Sequence, residues 1–218
     1  MIEWKTSKQL VPYDHAIETM QQRVLDIRNQ TKNELIWLLE HPHVFTKGTS
    51  SKEEHLLNPN LLPIINTGRG GSYTYHGPGQ RIVYVMLDLR KQKKDIRKFV
   101  WDLEHWLIST FKLLGVIGER RPNRIGIWVV KKDSGVINLH SSQEKKIASI
   151  GLRIKNWVSY YGVSINLNPN LTYFDGIIPC GNSGYGVTSL REQGLKTSLT
   201  DLDNTLKQTF DATFEVFG

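Results

Sequence analysis

The chain has 218 residues, of which 39% are hydrophobic and 10% aromatic. That is enough for the core of one domain spanning 1–218, and no run approaches the roughly 20 apolar residues that cross a bilayer. The start, MIEWKTSKQLVPYDH, has no apolar signal core and the single cysteine cannot form an intrachain disulfide, so the expectation is a cytoplasmic protein with no membrane association. A net charge of +7 favours an acidic partner. The Lys and Arg residues are scattered and lack interleaved aromatics, which argues against a nucleic-acid-binding module.

Ile17, Met20, Val24 and Ile27 recur at helical spacing and predict an amphipathic helix over 15–27. ELIWLLE (34–40) and RIVYVMLDL (81–89) read as buried strands. A second helix is expected over 96–114, with Phe99, Leu103, Trp106, Leu107 and Phe111 on one face, Asp95 as N-cap and Gly115 just past the end. IGIWVVKK (125–132), KIASIGLRIK (146–155) and WVSYYGVSINL (157–167) follow as strands, the last two joined by a hairpin turn within RIKNW. Leu199, Leu202, Leu206, Phe210 and Phe214 mark a final helix, opened by a capping box of Ser198 and Asp201. The order implies an α/β chain of the α+β type, a mixed sheet flanked by helices.

Three stretches do not serve this scaffold in any obvious way. TGRGGSYTYHGPGQ (67–80) holds five glycines; it is too long for a simple turn, and glycine lets a ligand approach the main chain. It fits neither a P-loop nor a dinucleotide fingerprint. EKKIASIGLRI (144–154) places lysines at the start of a strand of small residues. Strict alternation puts Lys146, Ala148 and Ile150 on one face and Ile147, Ser149 and Gly151 on the other. IIPCGNSGYG (177–186) sets Cys180 in a tight, glycine-rich turn. A lone cysteine is by default an inert small hydrophobe, but this irregular turn is also a setting for a nucleophile. One cysteine with scattered histidines gives no metal-ligand spacing.

RGGSYTYHGPGQ, KIASIGLRI and IIPCG occur together in this order, after EHPHVFTKG, and the chain resembles the lipoyl(octanoyl) transferases. The resemblance covers about residues 34 to 190. It implies the fold of biotin and lipoate protein ligase catalytic domains. It also implies transfer of an octanoyl group from acyl carrier protein to a lysine of lipoyl domains, in 2-oxo-acid dehydrogenase complexes and the H protein of glycine cleavage. By the same match Cys180 is the nucleophile that carries the acyl group as a thioester, and Lys146 activates it. No metal and no cofactor are implied. The substrate site is expected to be lined by Arg69, Gly70, Gly71, Ser72, Tyr73, Thr74, Tyr75 and His76, with Tyr75 and His76 facing the acyl group or the cysteine. Ser149, Ile150 and Gly151 and then Gly162, Val163 and Ser164 are expected as its walls.

The residue types suit that chemistry. A thioester intermediate splits the transfer into two easier steps, and a cation beside a thiol favours the thiolate. Amides at Gly181 or in the glycine loop are candidates for stabilising the tetrahedral oxyanion. Three features depart from the family pattern: a long KKDSGVINLHSSQEK before Lys146, Tyr161 where histidine is frequent, and an unusual lead-in to RPNRIGIWV. An ATP-dependent lipoate–protein ligase would share the fold but would not need Cys180. A thiol hydrolase would use the same nucleophile with water as acceptor.

Overall fold

In the computed structural model the described residues are 2–92, 94–130, 144–181 and 184–214, without the side chains of Gln92 and Cys180. The long stretch expected between the 125–132 strand and Lys146 lies largely outside them. Among the described residues no helix is long and apolar enough to cross a membrane.

The main sheet is mixed. Strands β1 (Glu3–Thr6), β2 (Leu35–Leu39), β6 (Gln80–Met86), β9 (Val158–Asn166) and β8 (Glu144–Lys155) lie side by side in that order. Both β7 (Ile127–Val130) and β10 (Gly186–Val187) pair with the start of β8, the first antiparallel and the second parallel. A smaller sheet is formed by β4 (Ile64–Asn66), β3 (Val44–Lys47) and β5 (Thr74–His76). The strands expected from apolar runs are present with trimmed ends. All five residues of β2 and all seven of β6 are buried, as strands covered on both faces must be.

Helix α1 (Tyr13–Arg28) covers one face, burying Tyr13, Ala16, Met20, Val24 and Ile27 against Trp37, Tyr84 and Tyr160. Helices α2 (Ile96–Leu113) and α3 (Leu199–Thr213) cover the other. There Trp106 donates its indole N–H to the Leu206 carbonyl at 2.8 Å and meets Phe210 edge to face, which joins the two helices. The caps read from sequence are in place. Asp95 accepts from the Lys98 N–H, Gly115 is left-handed at φ +82°, and Ser198 and Asp201 form the reciprocal capping box. The β8–β9 hairpin turns on Asn156 and Trp157, both at positive φ (52° and 65°), as a two-residue turn between right-twisted strands requires.

Two expectations are corrected. The glycine stretch is not all loop: Thr74–His76 pairs with β3, Tyr75 opposite Phe45. The faces of β8 are also not those of strict alternation. Its pairing with β7 slips, Ile127 lying opposite Ala148 but Trp128 opposite Lys146. The extra residue is a β-bulge, which re-aims the side chains on one side of it. Ile147 and Ala148, neighbours in sequence, both enter the α2/α3 core, and Ile150 and Leu152 pack against it. Lys146 therefore shares a face with Ser149 and Gly151, away from that core.

Candidate active site

A cavity of about 680 Å³ opens between the glycine stretch and the small-residue centre of the sheet. Its floor is made where β8 and β9 pair Ser149 with Ser164 and Gly151 with Gly162. The roof is Arg69 to Thr74, and Lys146 stands at one end with Trp128, Arg124 and Ile125. Gly181 borders the cavity as well.

The floor depends on missing side chains. A Cβ at Gly162 would lie 2.1 Å from the Val83 carbonyl oxygen on the neighbouring strand, and a paired backbone cannot move aside. Gly162→Ala is expected to destabilise the protein by about 1–3 kcal/mol through overpacking. Thermal unfolding checks this, and a wild-type melting temperature would show that the strands can part there.

Most of the sequence-predicted residues come together on this cavity. Arg69, Gly70, Gly71, Ser72, Tyr73, Thr74 and His76 line it, with Ser149, Ile150, Gly151, Gly162, Val163, Ser164 and Lys146. Tyr75 does not. On β5 it points opposite to Thr74 and His76, and its ring is fully buried against Tyr173 and Phe174, with its hydroxyl 2.9 Å from His43 Nδ1. Period-two alternation in a three-residue strand explains this.

Lys146 is buried, at 5% exposure. Its ammonium donates to the Ile125 carbonyl at 2.7 Å and lies 5.0 Å from the centre of the Trp128 ring, over which the Arg124 guanidinium also stacks. Gly126, at φ +116°, gives this end its room: a Cβ there would come within 3.2 Å of Nζ. The Cys180 backbone lies in a single 3-10 turn, Pro179–Gly181, and its side chain is outside the described residues. The chain after that turn returns to the lysine. Gly186 and Val187 pair with Lys145 and Lys146, and the Thr188 N–H donates to the Lys146 carbonyl at 2.9 Å. Two amides considered for the oxyanion are engaged elsewhere: Gly181 N–H donates to Ile178 O at 3.1 Å and Gly70 N–H to Leu152 O at 2.9 Å.

The end of the cavity lined by Tyr13, His76, Tyr84 and Tyr161 is polar, with Arg69 beside these rings and His41 packed against Tyr13 and His76. Burial pushes the His41 imidazole down to about 4 and His76 to about 3, and raises the phenols of Tyr13, Tyr84 and Tyr161. These rings stack on one another, Tyr13 on His76 and against His41. Arg69 donates to Thr46 Oγ1 at 2.6 Å and to the Thr46 carbonyl at 2.8 Å, which clamps the glycine stretch onto β3.

Sequence reasoning missed His55. It lines the cavity, bonds Ser72 Oγ through Nδ1 at 3.0 Å, and lies against Gly181, while its carbonyl accepts the Ile178 N–H at 2.8 Å. It ties the cysteine turn to the glycine stretch. Its neighbours Glu53, Glu54 and Leu56 give no pattern that would have marked it. Tyr84 was likewise read only as a strand residue, and Tyr13 lay just before the helix expected over 15–27.

Residues 12–211 match the family model described as the lipoyl protein ligase A/B catalytic domain. The chain belongs to that family. An octanoyltransferase from Parvibaculum lavamentivorans is 50% identical over 216 residues, 99% of this chain and 92% of its own. Among solved structures, the bipartite lipoate protein ligase of Thermoplasma acidophilum superposes with a TM-score of 0.69 at 13% identity, over 99% of this chain and 85% of that one. The biotin protein ligase of Aquifex aeolicus, with biotin and ATP, gives 0.56 at 10% identity over 99% and 71%. At those identities the likeness is one of fold. It agrees with the mixed sheet flanked by helices.

Proposed function

We propose that this chain, as one catalytic domain, moves an octanoyl group from acyl carrier protein to the lysine of a lipoyl domain through a thioester on Cys180. The transfer itself, an acyltransferase step of lipoate biosynthesis, follows from the family and from half identity to an octanoyltransferase along nearly the whole of both chains. What supports a covalent route is the meeting of the cysteine turn and Lys146 on one cavity, tied by β10.

In the first step Cys180 gives its proton to the Lys146 amine and its thiolate attacks the donor thioester. The new C–S bond forms, the old one breaks, and the leaving carrier thiolate takes that proton back from Lys146. In the second step the amine of the incoming lysine attacks. Its C–N bond forms, the C–S bond to Cys180 breaks, and the proton lost from nitrogen passes to the thiolate. Lys146 is the group placed to hold the thiolate by charge and to move that proton. Lys52, Arg124 and Arg153 are on the cavity lining, and with the net charge of +7 they suit an acidic carrier protein.

Intact-protein mass spectrometry after mixing with octanoyl-acyl carrier protein tests the reading. A single octanoyl adduct is expected, absent in Cys180→Ala and discharged by a lipoyl domain. Loading of the lipoyl domain from free octanoate and ATP, with no adduct, would instead make the chain a ligase.

A further inference from the structure

We infer that a chain of side-chain amides fixes which nitrogen of His76 meets the substrate, making Gln80 and Asn166 positioning residues for that imidazole. The Thr188 carbonyl can only accept, so the Asn166 group 2.9 Å from it is the NH₂. Asn166 therefore turns its carbonyl oxygen to Gln80, whose NH₂ donates to it at 2.9 Å and to the Tyr75 carbonyl at 3.3 Å. That leaves the Gln80 side-chain oxygen facing His76 Nδ1, 2.6 Å away. An amide oxygen accepts, so Nδ1 carries the proton and Nε2 keeps its lone pair. Two backbone carbonyls thus dictate the tautomer through two amides, Gln80 being 1% and Asn166 5% exposed.

The neighbouring histidine makes the contrast. His41 Nδ1 donates to the Val11 carbonyl at 2.6 Å, and its Nε2 receives the Tyr84 hydroxyl proton at 2.7 Å. Both of its nitrogens are spent. His76 lines the cavity, and among the described residues nothing pairs with its Nε2. A neutral imidazole held this way is an acceptor only. The substrate group that meets it is an N–H donor: the amine of the acceptor lysine, or an amide N–H on the thiol arm of the acyl donor. Burial opposes an imidazolium here, so His76 orients the donor rather than keeping its proton. The amide chain also ends beside Lys146, because Thr188 donates its own N–H to the Lys146 carbonyl.

The catalytic consequence rests on the transfer reading above; the tautomer does not. Nitrogen-15 NMR of histidine-labelled protein is expected to show His76 neutral and protonated on Nδ1 between pH 6 and 8. Gln80→Met should release the Nε2–H form. It should also lower kcat about tenfold or more with a smaller change in KM, as loss of the correct tautomer does elsewhere. Gln80→Glu, protonated on the oxygen that faces the Asn166 carbonyl and accepting from Nδ1–H with the other, should restore the tautomer and part of the rate. Cys180 loading and its discharge to a lipoyl domain are then timed separately by mass spectrometry. Slow loading identifies the donor arm as the partner of Nε2, and slow discharge identifies the lysine amine. An Nε2–H or doubly protonated His76 in the unaltered protein would overturn the inference, as would a changed tautomer in Gln80→Met with both half-reactions at full rate. Absence of any transfer by the unaltered protein with the tautomer as stated would count against the transfer reading alone.

Discussion

Lys146→Ala is expected to slow octanoyl loading of Cys180 by on the order of a hundredfold, the usual range for losing a positioned acid–base group, while Lys145→Ala loads within about threefold of the unaltered protein. The two lysines are adjacent on the same side of the bulge in β8, paired in register with Trp128 and Val129, and alternation sends them to opposite faces. Lys146 is directed into the cavity, where the Ile125 carbonyl, the Trp128 ring and the space left by Gly126 fix its ammonium. Lys145 lays its aliphatic stem along Gly186, 3.6 Å from where a Cβ would stand, and is only partly buried. Removing Lys145 costs some packing; removing Lys146 takes the ammonium that lines the cavity beside Trp128. Timed mass spectrometry of the acyl adduct measures both. Equal behaviour of the two variants would mean that the opposite faces of β8 do not select between them, and would remove Lys146 from the mechanism. Lys146→Arg should not rescue, because Gly126 shows how closely the strand end is fitted around Nζ, and a guanidinium is a wider group with a far more tightly held proton.

The parts of this protein that bury a periodic apolar face were legible in its sequence. Helix α3 is the clearest: Leu202, Leu206, Phe210 and Phe214 are buried as their spacing requires, and its capping box is the one written as Ser198 and Asp201. Of the strands of two to four residues, β7 was read within IGIWVVKK and the others were not. β3, β4, β5 and β10 are too short to show a period, and they are held by partners far away in sequence, as Val187 is by Lys146. Short strands missed in this way also hid the direction of side chains. The motif that held Tyr75 and His76 together gave them one role, but the pairing of β5 turns Tyr75 into an aromatic cluster with Phe45 and Phe174. The bulge in β8 is of the same kind, since it follows from how β7 and β8 pair and not from either strand alone. His55 needs three segments brought together before it acquires any meaning. The site's residue types were therefore visible along the chain, and its geometry was supplied by non-local pairing.

Acid is expected to weaken the fold well above the range where carboxylates titrate, through the two buried histidines. His41 is fully buried and held neutral down to about pH 4, and His76 to about 3, whereas in the unfolded chain both take up a proton near pH 6.5. Below that pH the unfolded state binds more protons than the folded one, so stability is complete above pH 6.5 and falls as pH drops toward the folded values. For His41 alone the difference amounts to about 3 kcal/mol by pH 4, a large share of a typical domain's stability of about 5–15 kcal/mol. One group works against this in the same window. Burial raises the Asp203 carboxyl to about 6, against the pull of Arg81 2.9 Å away, and a raised carboxyl favours the folded state as pH falls. The decisive quantity is therefore the difference between the protein and His41→Gln, in which the Asp203 contribution is common to both. Glutamine still donates to the Val11 carbonyl and accepts from Tyr84, but does not titrate. Urea unfolding at pH 7, 6, 5 and 4.5 should show the variant losing less stability on acidification, the gap closing by about 2 kcal/mol over that span. Parallel curves would mean that His41 takes up its proton in the folded protein as readily as in the unfolded chain, and a neutral His41 within the buried ring cluster would have to be abandoned.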